Sequence, residues 1–192
     1  MTIATLASVP STLRRTFNRK DAIPMWQDVL WKIEQGVVRT IAWTEDGSTI
    51  ASGYWGPGDV VGEPLCCING YQIECLTSVE VSMIPRQQWQ QILDAIRTHT
   101  QKTEELLTII QCKQVQERLL KFLVWLSNKF ARPVEQGRLL ELPMTHQEIA
   151  EAIGISRVTV TRLLQRLESE GAIARPQRQS ILLYESRGFP LV

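Results

Sequence analysis

The stretch from Thr145 to Leu167, THQEIAEAIGISRVTVTRLLQRL, constrains the fold more than any other part of the 192-residue chain. Thr145 followed three residues later by Glu148 is the pattern in which each side chain caps the other's backbone amide, so a helix starts at His146. That helix stops near Gly154, because a residue without a Cβ takes positive φ at no steric cost, and Ser156 suits the cap of a second helix. Ile149, Ala150, Ile153, Ile155, Val160, Leu163, Leu164 and Leu167 recur at helical spacing and leave Arg157, Thr159, Thr161, Arg162 and Arg166 on the other side. With the small Ala150 where the helices cross, the pattern is a helix-turn-helix.

The downstream segment extends this motif. GAIARPQRQSILLYE reads as strand, tight turn around Pro176-Gln177-Arg178, and strand, a wing with Arg175 and Arg178 at its tip. The whole chain carries a net charge of only +1, yet from Ser156 to Tyr184 five arginines meet two glutamates. Placement of charge, not its total, is what points to a nucleic-acid partner. A merely solvated helix interleaves acids with bases, whereas Arg157, Arg162 and Arg166 meet no acid before Glu168. Arginine grips the O6 and N7 atoms of guanine through two hydrogen bonds, so Arg157 and Arg162 suit base reading, with Val158 offering a methyl surface. Thr145, Ser156, Thr159, Thr161, Arg166, Arg175 and Arg178 suit phosphate contacts, which orient a protein on duplex DNA without specifying sequence.

Upstream the periodicity is different. From Asp28 to Pro85 the short runs VLWKI, VVRTIAW, STIASGYW, DVVG and VEVSMI alternate with turn signals such as Asp46-Gly47 and Gly56-Pro57-Gly58-Asp59. This predicts an antiparallel β roll. The next 45 residues contain no Gly or Pro and predict a helix broken once, near Cys112. Its first part is polar apart from a narrow stripe, which gains little on its own domain and suits pairing with a second copy; the alternative is that it simply covers the β roll. Its second part, Val115 to Phe130, is apolar on more than one face and is expected inside the next domain. Arg132-Pro133 and Gln136-Gly137 then break the chain. The expected organisation is α+β: a β roll over 1–85, connecting and dimerisation helices over 86–114, and a winged helix-turn-helix over 115–192.

Several function classes are disfavoured. No stretch approaches the roughly 20 apolar residues of a membrane span, and the first ten residues lack a signal-peptide core, so a cytoplasmic protein is expected. Cys66, Cys67, Cys75 and Cys112 have no C-x-x-C spacing, and His99 and His146 are the only histidines, so no metal or other cofactor is expected. A metalloenzyme built in the roll needs histidines between Gly36 and Pro85, and there are none; the chain is not expected to be an enzyme. The adjacent Cys66 and Cys67 read either as a redox pair or as small buried filler.

In its order of β roll, long helix and winged helix-turn-helix, the chain resembles the Crp/Fnr family of dimeric bacterial transcription regulators from about Arg15 to Tyr184. AEAIG followed by RVTVTRLL looks especially like the cyanobacterial global nitrogen regulators. The resemblance implies that Arg157, Val158 and Arg162 read bases in a palindrome with GTA and TAC half-sites. It also implies a homodimer with its seam at His99, Thr103, Leu106 and Ile110, and contact with RNA polymerase where the protein activates.

Cyclic-nucleotide members of that family begin a loop with Gly-Glu and end it with Arg-Ser or Arg-Thr. Here Gly62-Glu63 survives, but Asn69-Gly70 falls where the arginine would be, and no Arg or Lys lies between Arg39 and Arg86. A buried phosphate without a cation is costly, which argues against cyclic AMP. The N-terminal part, about 25 residues before the roll, is also shorter than in relatives, has no cysteine cluster for iron–sulfur, and is followed by a roll with no histidine for haem. An effector-independent regulator is expected. The alternative is control by a small molecule or redox signal in the roll, for example 2-oxoglutarate with Lys113 or Arg118 as its cation.

Overall fold

The computed structural model describes residues 13–45, 47–177 and 179–184. Eight strands form the N-terminal roll: β1 (Arg14–Phe17), β2 (Ala22–Ile23), β3 (Val29–Gln35), β4 (Val38–Trp43), β5 (Thr49–Trp55), β6 (Val60–Val61), β7 (Gln72–Cys75) and β8 (Val79–Pro85). They pair as two antiparallel sheets, β1-β8-β3-β6 and β2-β7-β4-β5. The facing surfaces enclose Trp31, Ile33, Val38, Trp55, Tyr71, Ile73 and Val81. Strands β1, β2 and β7 are short and carry little apolar alternation, so backbone ladders of β1 to β8, β2 to β7 and β7 to β4, rather than their own pattern, hold them in place.

After a 3-10 turn at Arg86–Ile92 come α1 (Leu93–Ile110) and α2 (Val115–Phe130), separated by the break at 111–114. Helix α1 gains more from its own roll than its narrow apolar stripe predicts. His99 stacks on Trp55, Lys102 pairs with the buried Asp59, and Leu106 and Ile109 enter the core. Polar and aromatic contacts of this kind leave no trace in a hydrophobic pattern.

The C-terminal part contains β9 (Arg132–Val134), β10 (Gly137–Leu140), α3 (His146–Ile153), α4 (Arg157–Ser169), β11 (Ile173–Ala174) and β12 (Ile181–Tyr184). Its sheet runs β11-β12-β10-β9. The segment expected only to break the chain is therefore a hairpin that widens the wing sheet. Pro133 is tolerated because β9 is an edge strand. Gly137 is required, since at φ 150° an added Cβ would lie 2.0 Å from the Leu183 carbonyl oxygen.

One core joins the two halves. Ile41, Ala51 and Tyr54, on the outer face of the sheet that contains β4 and β5, share it with Phe122 and Trp125 of α2 and Ile149 and Ala152 of α3. The Tyr54 ring stands 5.6 Å from Phe122 and 6.2 Å from Trp125, centroid to centroid. Strand β4 is consequently covered on both sides, and α3 lies against the roll.

Candidate nucleic-acid interface

Local chemistry sets α3 and α4. The Thr145 hydroxyl accepts from the Glu148 amide at 3.1 Å while the Thr145 amide donates to the Glu148 carboxylate at 2.5 Å. Gly154 ends α3 in the left-handed conformation, at φ 66° and ψ 46°. The Ser156 hydroxyl then accepts from the Thr159 amide at 3.1 Å and opens α4. Val160, Leu163, Leu164 and Leu167 turn inward from α4, and Ala150 and Ile153 meet them from α3.

The opposite side of α4 is presented to solvent. Val158 is 77 % exposed, an unusual position for a valine, and Arg157 and Arg162 flank it, both exposed. Neither guanidinium makes an ion pair or hydrogen bond with another described residue, so both keep their full donor sets. The other arginines are engaged. Arg166 pairs with Glu170 at 2.8 Å, and Arg175 of the wing grips Glu168 through Nε at 3.0 Å and Nη2 at 2.6 Å. Arg178 lies outside the described residues. The structure thus separates free arginines on the recognition helix from paired arginines at its edges, a distinction that charge counting cannot make.

The hydroxyls expected to meet phosphate also have partners within the chain. Ser156 and Thr159 share a hydrogen bond at 2.8 Å. Thr161 donates to the Arg157 carbonyl and lies 2.8 Å from Nδ1 of His146. His146 and Gln147, at the start of α3, line a cleft with Thr145, Arg157, Arg175 and Gln177. Sequence reasoning passed over these two, although both sit inside the helix-turn-helix motif. Burial, then the charges of Arg175 and Arg157, push the His146 imidazole below its ordinary range. An anion in the cleft would reverse the charge part of that shift.

The remaining predicted residues sit apart from this face. Gly62 and Glu63 open a 3-10 turn, Glu63–Leu65, and Asn69 and Gly70 lie on an exposed loop. Cys66 is partly buried and accepts from the Ile68 amide, Cys67 is exposed, and both are free thiols. Burial pushes the Cys66 thiol up, away from the thiolate that redox chemistry uses. Arg118 spans the carbonyls of Cys112 and Ile153, each at 2.9 Å, and so is occupied at the joint between the helices. Along α1, His99 and Leu106 turn toward the chain's own roll and core, while Thr103 is exposed and Ile110 partly so. Among the described residues no group of acidic, cysteine and histidine side chains has the arrangement of a metal site, and no helix is long and apolar enough to cross a membrane.

Comparison with known proteins places this geometry. Residues 25–95 match the family model of the cyclic nucleotide-binding domain, and residues 117–186 match that of the Crp-like helix-turn-helix domain. The regulatory protein CysR of Synechococcus elongatus is 36% identical over 189 residues, which span 97% of this chain and 91% of that protein. The global nitrogen regulator of a Synechocystis species is 32% identical over 115 residues, 54% of this chain and 51% of its own. Among solved structures, a CRP-family transcriptional regulator from Thermus thermophilus superposes with a TM-score of 0.76 at 23% identity, over 89% of this chain and 92% of that one. FixK2 from Bradyrhizobium japonicum gives 0.74 at 19%, over 90% and 92%; at such identities the likeness is one of fold. With a relative this similar along nearly its whole length and a free-arginine recognition helix in a winged helix-turn-helix, the chain belongs to the Crp/Fnr family of DNA-binding transcription regulators, and is not an enzyme.

Proposed function

We propose that the protein acts as a homodimer on a palindromic site with GTA and TAC half-sites, reading it through Arg157, Val158 and Arg162 without cyclic AMP or another bound effector. The observation that carries this reading is the pair of unpaired arginines flanking an exposed valine on α4. A GTA half-site holds one guanine, so one of the two arginines grips it through two hydrogen bonds, a pair that discriminates by roughly 1–3 kcal/mol, while Val158 meets the neighbouring thymine methyl and the second arginine reaches an adjacent base or phosphate. Thr145, His146 and Gln147 at the start of α3, with the wing, contribute phosphate contacts.

Effector independence rests on the roll. Its interior is filled by its own Trp31, Trp55 and Tyr71. The polar atoms there satisfy one another: Nε1 of Trp55 and Oγ of Ser52 both donate to Oγ1 of Thr40, at 3.1 and 2.9 Å. The dimer seam is assigned to the outer stripe of α1, Ile96, Thr100, Thr103, Leu107 and Ile110, which keeps Thr103 and Ile110 and leaves His99 and Leu106 to the chain's own core.

Fluorescence anisotropy of the purified protein tests the whole reading, using a duplex with GTA and TAC half-sites one helical turn apart and a scrambled duplex. Without added effector at about 150 mM salt, a preference of roughly 10³-fold for the palindrome is expected. Equal weak binding to both duplexes that becomes specific only when 2-oxoglutarate is added would overturn effector independence.

A further inference from the structure

A cluster of five charged side chains joins the roll to α3. Arg39 of β4 bonds through Nε to Glu74 of the neighbouring β7 at 2.7 Å and through Nη1 to Glu151 of α3 at 2.8 Å. The Lys20 ammonium bonds to Glu74 at 3.0 Å and to Glu148, the residue that caps α3. Arg39 also lies 3.8 Å from Glu148. Three of the five are buried: Arg39 at 6 %, Glu74 at 9 % and Glu148 at 3 % exposure. Beside them Arg19 donates to the Pro143 carbonyl, just ahead of α3, at 2.9 Å.

Lys20 is also the one non-glycine residue with positive φ, 75°, among the described residues. A lysine takes that conformation against its own sterics, and such strain persists only where surrounding contacts hold it. Here it carries the side chain toward Glu148. The far end of α3 is fixed as well, by Arg118 on the Ile153 carbonyl. The apolar contacts of Tyr54, Ile41 and Ala51 with α2 and α3 are non-directional and tolerate sliding. Charged hydrogen bonds to two residues one turn apart on α3 do not.

We propose that Lys20, Arg39 and Glu74 are positioning residues for DNA recognition: they clamp α3, and through its packing α4, at one orientation on the roll, and so fix the separation of the two recognition helices. The clamp takes the place of a bound effector as the element that orders the two halves of the chain. The separation clause rests on the dimeric reading above and the effector clause on the effector-independent one; the clamp itself rests on neither.

Two measurements on the full chain test it. Spin labels at Glu45 and Gln165, in a background with Cys66, Cys67 and Cys112 changed to serine, report the distance between roll and α4 without DNA. Half-site spacing is then varied by about two base pairs around one helical turn in the anisotropy assay. With labelled protein diluted into an excess of unlabelled protein, so that one subunit of any dimer carries the labels, wild type should give one narrow distance distribution and prefer one spacing by about tenfold or more. Lys20→Met/Arg39→Met should broaden the distribution and reduce that preference to about twofold, with affinity for an isolated half-site kept within about twofold. Glu151→Gln, which keeps side-chain volume and removes one charge, should move both readouts the same way and serves where the double variant does not fold. Unchanged distributions and spacing preference in folded variants overturn the clamp. A distribution that broadens while even wild type ignores spacing upholds the clamp and removes the palindromic reading.

Discussion

The imidazole of His99 lies flat on the indole of Trp55, with ring centroids 3.9 Å apart and planes inclined by 6°. Its Nδ1 sits 2.9 Å from the Val60 carbonyl. Burial lowers the His99 pKa, and the Val60 carbonyl and Asp59 only partly offset this, so the ring is neutral at pH 7 and stacks without a desolvated charge. Together with the Lys102–Asp59 pair, this contact commits one side of α1 to the roll and leaves the stripe through Leu107 for a partner.

Leu107 is 55 % exposed. A two-fold seam counts each substitution twice, and an apolar side chain of this size is worth roughly 1.5–3 kcal/mol when buried. Leu107→Asp should therefore weaken dimerisation by about 3 kcal/mol or more, seen in sedimentation equilibrium as conversion to monomer at micromolar protein. His99→Phe should leave the association constant unchanged. A Leu107→Asp protein that stays dimeric would move the seam elsewhere.

The difference between free and paired arginines separates specificity from affinity. Arg162→Ala removes a free guanidinium; if it reads a base as proposed, binding to the palindrome should drop by roughly 1–3 kcal/mol per half-site while non-specific binding changes little. Arg175→Ala removes a cation already held by Glu168, and the released carboxylate stays near the DNA face. Its effect should be a weaker, sequence-independent loss with a shallower salt dependence, because a phosphate contact adds about one unit to the salt slope. Salt titrations of both variants on both duplexes check this; equal effects of Arg162→Ala on the two duplexes would remove Arg162 from base readout.

The helix-turn-helix was legible because it is local: a cap pair three residues apart, a glycine stop and one 3.6-residue stripe specify it almost alone. The β9–β10 hairpin was not, since Arg-Pro-Val carries no alternation and is held by a ladder to β10. The clamp lay further out of reach. Glu148 announces itself as a capping residue, and that role is real, but its second partner, Lys20, is 128 positions away and looks in sequence like one of several N-terminal cations. His99 and Leu106, which the family resemblance implies for a seam, turn to the chain's own roll and core instead, because a resemblance carries over the position of a helix and not which surface covers each of its faces.

His146 should make DNA binding proton-linked. In the free protein burial, Arg175 and Arg157 depress its pKa below 6.5, so near neutrality the ring is uncharged. A phosphate in the cleft favours the imidazolium and raises the pKa in the complex, so binding takes up a proton. By linkage, affinity increases as pH falls through the bound-state pKa and levels off below the free-state one, with a slope of at most about tenfold per pH unit. Stability without DNA runs the other way: a depressed histidine contributes fully above 6.5 and loses that contribution as pH falls toward its folded value. His146→Gln should flatten the binding profile between pH 8 and pH 6. An unaltered slope in that variant would assign the proton to another group.

Tyr54 offers a test of how the clamp region is built. The residue is fully buried at 0 % exposure, its ring packs on Phe122 and Trp125, and its hydroxyl has no hydrogen-bond partner among the described residues although Arg39, Glu148 and Glu151 are near. Burial raises its pKa well above the ordinary range and the neighbouring Arg39 guanidinium only partly offsets this, so the phenol stays protonated without a well-formed hydrogen bond. Removing only that oxygen should cost nothing: Tyr54→Phe is expected to match wild type or exceed it by up to about 1 kcal/mol in urea unfolding. Tyr54→Ala, which opens a hole between β5 and α2, should lose about 3–5 kcal/mol. A loss of more than about 1 kcal/mol in Tyr54→Phe would mean that the hydroxyl is paired after all, with the Arg39 guanidinium as the nearest donor-rich neighbour, and the phenol would then count as a sixth member of the ionic cluster that holds α3 on the roll.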